Sequence, residues 1–428
     1  MPMRYRLSFT ARAVLSTLAV LGAGCSSAGI TETPVYVSNP QGQRVLALSM
    51  ATPRADAAAV KLLNGKVLVC GGTSTGLVGG VLNSAELYNP ATETFEPTGS
   101  MNDPRQGQTI TLLRDGRVLV AGGARNIGYR AELSSAEIYD PESGAFSPTG
   151  SMSVPREGHT ATLLNDGRVL IAGGSDNGQH TIASAEIYDP ALSTFSPTGH
   201  MTVPREAHTA TLLLSGQVLI AGGGRAGMPG GYIVYRNGEL YDPRSGTFSL
   251  INSPMISDRV GAAAVLLRDG RALIVGGKSS RVLLSGTFGG TRNIASFAPL
   301  NTAEYYDPES HSFQKAPGMR APHYLGTATL LADGSVLVAG GFLQQGPRVI
   351  GLKDADLYDA TMATFATLPP MHVARLDQTA TLLDDGKVLI AGGINGQSYM
   401  SASVEFYEPL HRHFQLLPEG DPATAPTE

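Results

Sequence analysis

The chain has 428 residues and a mass of 44.6 kDa, with 52 Gly, 27 Pro, 2 Cys and no Trp. Only 16% of its residues are charged, well under the roughly 25% of ordinary soluble domains, and this Gly-rich balance favours short strands and tight turns over helices. Two cysteines exclude a disulfide scaffold and a four-cysteine zinc site, and a formal net charge of −5 argues against nucleic acid as a partner.

At the N-terminus, Arg4, Arg6 and Arg12 lead into an apolar run over residues 13–24. A run of about 12 residues is too short to span a bilayer and has the length of a secretory core. It ends in Leu21-Gly22-Ala23-Gly24-Cys25-Ser26-Ser27. This resembles a bacterial lipoprotein signal, which implies a signal peptide over 1–24 and a lipid on Cys25. The resemblance places the chain at the outer membrane or cell surface, with the periplasm as the alternative, and touches the membrane only through the anchor. Residues 25–42 read as a polar tether and 419–428 as a loose tail.

The segment between, 43–418, repeats. Gly-Gly doublets stand at 71–72, 122–123, 173–174, 222–223, 276–277, 340–341 and 392–393. The third copy is the clearest. Residues 159–164 alternate and are rich in Thr and Leu, Asp166-Gly167 signals a tight hairpin, and 168–172 form a near-continuous apolar run that suits a strand buried on both faces. A third strand over 185–188 stops at Asp189-Pro190, and a fourth runs from Phe195 towards Met201. Four antiparallel strands per repeat predict an all-β propeller of seven blades.

The quoted residues resemble the kelch repeat, with its Gly-Gly doublet, a Tyr in the third strand and an aromatic in the fourth. Here Phe95, Phe146, Phe195, Phe248, Phe313, Phe365 and Phe414 stand where kelch repeats usually place Trp. Two segments compete to close the ring in blade seven, 43–50 and 413–418, and their order is open.

Arg54, Arg105, Arg156, Arg205, Arg259 and Arg375 open six blades and His323 the other. They suit either an Arg funnel for a carboxylate or phosphate or an ion pair repeated in every blade. Glu86, Glu137, Glu186, Glu239, Glu304, Asp356 and Glu405 supply one acid per third strand, which favours the repeated pair. His159 and His208, each following an Arg-Glu pair, suit a metal or acid–base site, or a copied structural residue. Cys70 reads as a small buried thiol. The loops after the second strands break the repeat. Arg225, Tyr232, Tyr235, Arg236, Phe288 and Arg292 in blades four and five combine Arg with aromatics, which suits a sugar ring, a peptide or a partner surface; the alternative is packing on neighbouring loops.

P-loop, His-Glu-x-x-His, Gly-x-Ser-x-Gly and EF-hand patterns are absent. The expected function is a monomeric, non-catalytic binding module for a glycan or a protein, without cofactor. The alternative is a carbohydrate-active enzyme, since bacterial sialic acid mutarotases and the propeller of galactose oxidase have similar repeats. The oxidase needs copper held by two His, a Tyr and a Tyr crosslinked to Cys, and Cys70 lies in the wrong strand for it.

Overall fold

Each x-Gly turn closes a hairpin. In blade three, Thr160–Leu163 and Val169–Ala172 pair antiparallel across Asp166-Gly167, where Gly167 takes φ 90°, a conformation that costs Gly little. Ser184–Asp189 adds to the second strand and Thr194–His200 to the third. The computed structural model describes residues 35–38, 42–74, 80–126, 131–176, 180–226, 232–285, 292–345, 348–395 and 399–418. The signal segment, Cys25, Phe288 and the tail lie outside these. Six further four-stranded sheets repeat the pattern. The seven first strands are Ala58–Lys61, Thr109–Leu112, Thr160–Leu163, Thr209–Leu212, Ala263–Leu266, Thr327–Leu330 and Thr379–Leu382. Each packs against the next, and the seventh packs against the first, so the sheets form a closed seven-bladed β-propeller. No helix among the described residues is long and apolar enough to cross a membrane.

The second strands are buried along their whole length in every blade. Their alternate faces meet the two neighbouring blades. Val169 and Ile171 of blade three, for example, pack with Leu119, Ala121 and Ile138 of blade two, while Leu170 and Ala172 pack with Val218 and Ile220 of blade four. In each sheet the third-strand Tyr lies beside the fourth-strand Phe. Tyr139 and Phe146 have ring centres 4.8 Å apart, and Tyr407 and Phe414 5.2 Å. Phenylalanine thus fills the place left by the missing Trp.

The blade-opening arginines are buried. Arg156 donates through Nη1 to the carbonyls of Gly173 and Ser184, and through Nη2 to Ser184 Oγ and, at 2.9 Å, to Glu186 Oε1. Glu186 Oε2 accepts the backbone N–H of Ser153 in the connection arriving from blade two. The same pairing occurs at Arg54–Glu86, Arg105–Glu137, Arg205–Glu239, Arg259–Glu304 and Arg375–Glu405, over 2.6–3.2 Å. Blade six uses His323 and Asp356, 3.1 Å apart. The arginine main chain faces the other way: its carbonyl accepts the N–H of the second doublet glycine of the preceding blade. Gly72, Gly123, Gly174, Gly223, Gly277 and Gly341 donate to residues 105, 156, 205, 259, 323 and 375, and Gly393 donates to Arg54 O at 2.7 Å across the closure. A Cβ on the first glycine, such as Gly173, would overlap Arg205 O, which is why the doublet recurs.

The two closing segments run end to end. His413–Gln415 pairs with Phe406–Glu408, while Leu48 donates to Leu417 O and Met50 to Ala402 O. Chain start and chain end therefore share one strand position, and Leu48, Met50, Phe406 and Leu417 join one core. Tyr36–Ser38, inside the stretch read as a tether, pairs with Arg44–Leu46.

Removing one partner of a buried pair strands the other charge. Arg205→Ala is therefore expected to cost about 3–5 kcal/mol. Gly386→Ala, with nothing within 4 Å of the added Cβ, should cost only the left-handed backbone term of about 1–2 kcal/mol. Denaturant unfolding of both variants checks the order; equal costs would contradict the clamp.

Candidate functional site: the channel mouth and the hairpin wall

Two residues after each blade-opening Arg or His the chain turns at the channel mouth. Asp56, Gly107, Gly158, Ala207, Gly261, Leu325 and Asp377 occupy these positions, all with positive φ. Their backbones link around the axis: Ala207 N–H donates to Gly158 O, Gly261 to Ala207, Leu325 to Gly261, Asp377 to Leu325 and Asp56 to Asp377. The cavity they bound measures about 310 Å³.

Blades one and seven, neighbours at the closure, put a carboxyl on this ring. Burial raises Asp56 to about 7. Burial, and then the charge of Asp56, raises Asp377 well above the carboxylate range. These two aspartates were not among the sequence candidates. The available signal was that they break a position otherwise held by Gly, Ala or Leu.

One residue earlier in each blade the lining divides. Glu157 and Glu206 are buried on one side, and Glu157 lies against Gly107. Ala55, Tyr324, Phe342, Leu376 and Ile394 form an apolar cluster on the other. Lys278 sits with its Nζ 5.1 Å from the Tyr324 ring centre, and burial lowers its ammonium to about 8.

The second-to-third loops of blades three to six fold into hairpins, namely Ser175–Asp176 with His180–Thr181, Gly224–Ala226 with Tyr232–Val234, Lys278–Ser285 with Arg292–Pro299, and Phe342–Gln345 with Arg348–Gly351. Adjacent hairpins touch, and Ala226 N–H donates to Thr181 Oγ1 at 3.2 Å. They form a wall along one arc of the mouth.

The sequence candidates separate into two groups. Arg156, Arg205, His159 and His208 come together at the junctions of blades two, three and four, and both arginines are fully buried. His159 Nε2 lies 3.1 Å from Thr109 Oγ1, and His208 Nε2 3.0 Å from Thr160 Oγ1, each in the preceding blade. Burial and the adjacent arginine hold both imidazoles down near 3, hence neutral. The other group lies on the wall. Arg225 is exposed there. Tyr232 packs its ring across Gly224. Tyr235 stacks on Arg205, 5.4 Å from ring centre to guanidinium. Arg236 Nε donates to Met255 O. Arg292 pairs by its backbone with Ser285. Cys70 is buried at the end of its strand, and burial pushes its thiol up to about 12.

The half-buried acids at the mouth and the buried imidazoles have opposite pH signatures. Asp56 and Asp377 hold protons in the folded chain above their unfolded range, so their contribution is complete at low pH, and that of Asp56 is lost as pH rises through about 7. His159 and His208 contribute above the unfolded His value, and that contribution is lost as pH falls from about 6.5 towards 3. The two effects oppose one another between roughly pH 4 and 6.5, and from there to about pH 7 the acids act without the imidazoles. In that upper window, stability should fall by up to about 1.4 kcal/mol per pH unit for each retained proton. The Asp56→Asn/Asp377→Asn double variant should flatten the slope in urea unfolding; an unchanged slope would contradict the assignment.

Residues 53–102 match the family model of the Kelch motif. An F-box/kelch-repeat protein of Arabidopsis thaliana is 30% identical over 110 residues, 23% of this chain and 23% of that protein. Kelch-like protein 33 of Homo sapiens is 30% identical over 116 residues, 27% of this chain and 21% of that protein. The matches thus span about a quarter of each relative's length. A fungal alcohol oxidase in complex with copper superposes with a TM-score of 0.63 at 17% identity, over 90% of this chain and 77% of its own, a likeness of fold alone. His159, His208 and Cys70 do not supply the ligands of that oxidase's copper: both imidazoles turn Nε2 to threonines, and Cys70 lies inside a blade-to-blade core. The repeats and the ring of seven four-stranded sheets make this chain a seven-bladed β-propeller, and one of its repeats, residues 53–102, matches the Kelch motif.

Proposed function

We propose that this propeller is a non-catalytic binding module, anchored in the cell envelope through a lipid on Cys25, which takes a glycan or protein ligand on the hairpin face. The observation that carries the reading is the wall of four adjoining hairpins beside a mouth lined by Glu157 and Glu206 on one side and by an apolar cluster on the other. The repeats are alike in their junctions and diverge on this face. Loops on a rigid scaffold are where binding residues collect. Arg225 offers an exposed guanidinium and Ile233 an exposed apolar side chain, 42% accessible, on the same hairpin.

The Asp56–Asp377 pair favours a second reading, a carbohydrate-active enzyme. A carboxyl held near 7 can give and take a proton at neutral pH. A glycan array probed with the chain from Ser26 onward separates the two. A bound glycan recovered unchanged supports the binding module, and a bound glycan that is converted supports the enzyme. If no glycan binds, the ligand class is protein.

Arg225→Ala should weaken ligand binding at least about tenfold and leave the melting temperature unchanged. Loss of stability in place of binding would move the contact surface off this hairpin. Cys25→Ser should shift the chain from the membrane fraction to the soluble one, because a lipid anchor would be the sole membrane attachment; unchanged fractionation would remove the anchor from the account.

A further inference from the structure

The turn between third and fourth strands has the same backbone in all seven blades, with one left-handed residue: Glu93, Gly144, Ser193, Gly246, His311, Ala363 and Arg412. In blades one, four and five the side chains before and after that residue face each other. Thr92 and Thr94 hydroxyls are 2.7 Å apart, and Ser245–Thr247 and Ser310–Ser312 2.8 Å. The acid ending the third strand reaches the same spot, as where Asp307 Oδ2 accepts the Ser310 hydroxyl at 2.8 Å. Blade seven keeps this turn and changes its chemistry. The two facing positions are His411 and His413, and the acid is Glu408.

One ligand atom from each of Glu408, His411 and His413 lies within 4.8 Å of the others. His411 Nδ1 is 3.4 Å from Glu408 Oε2. A tetrahedral ion with ligands at ~2.0–2.1 Å sets them about 3.3–3.4 Å apart. Glu408 Oε1 faces Lys387 Nζ at 3.4 Å, which leaves Oε2 for the ion. Two imidazoles and one carboxylate, half-buried to exposed, make a donor set for zinc(II) or a similar late first-row cation, and a poor one for calcium or magnesium.

We propose that this turn binds one such divalent ion and that the ion latches the closing strand. Glu408 ends the third strand, and His413 begins the last one, His413–Gln415, which at 3 residues is the shortest fourth strand in the ring. An ion that binds the folded turn and not the unfolded chain raises stability by mass action.

Isothermal titration of metal-stripped protein with zinc(II) at about pH 7.5 tests this, with a melting curve at each metal concentration. Expected are one ion per chain and a melting temperature that climbs with zinc. His411→Asn and His413→Asn should each lower affinity at least about tenfold and abolish the thermal shift while leaving the metal-free melting temperature unchanged. Lys387→Met, which frees the second carboxylate oxygen, should bind zinc at least as tightly as the unaltered chain. Zinc binding and thermal shift that persist in the His411→Asn/His413→Asn double variant would overturn the site, as would calcium competing at equal concentration. Binding without a thermal shift would overturn the latch.

Discussion

The ring depends on what happens at the residue that opens each blade. Its guanidinium turns into its own blade and fixes the third-strand glutamate, which in turn fixes the arriving connection. Its carbonyl turns to the preceding blade and takes the glycine N–H. One residue therefore sets both the fold of a blade and the spacing to its neighbour. Burying a charge is costly unless it is paired, and here the acid, two carbonyls and a hydroxyl or amide oxygen take the two Nη groups, while Nε of Arg54, Arg156, Arg205 and Arg259 has no hydrogen-bond partner. Blade six shows how far the arrangement tolerates change. Imidazole replaces guanidinium, the acid shortens to Asp356, and His323 Nδ1 still lies 2.6 Å from Gly340 O.

Much of this was legible in the sequence because it repeats. Seven Gly-Gly doublets, seven x-Gly turns and a Tyr and Phe at fixed places predict seven sheets, and the matching of arginines to third-strand acids points to pairs before any coordinate is seen. The missing Trp reads correctly as a substitution by Phe, since each Phe lies against its Tyr. What the sequence does not show depends on closure and on departures from the repeat. Asp56 and Asp377 meet because blades one and seven are neighbours, and nothing local announces that two distant aspartates share a field. The hairpins of blades three to six lack a periodic pattern, and only the ring sets them side by side. Tyr235 reads as an exposed aromatic in an irregular loop, yet the fold lays it on Arg205.

The same logic divides structure from function. Residues that recur in every blade are spent on junctions, so candidates for recognition are those that do not recur: Arg225 and Ile233 on the wall, the two aspartates at the mouth, and the His-Arg-His turn of blade seven. These lie on two faces. The wall and mouth share the side where first strands begin, whereas the blade-seven turn lies at the far ends of the strands, beside the closing segment. A ligand on one face and an ion on the other would act on opposite sides of one rigid ring.

Hydrogen exchange at the doublet glycines tests the central claim most directly. If the arginine carbonyls hold the ring shut, the amide of Gly393, which closes it onto Arg54, exchanges as slowly as those of Gly123, Gly174 and Gly223, through global unfolding alone. A Gly393 amide that exchanges as fast as surface turns while the other three stay protected would show the ring open between blades seven and one, and would contradict the account.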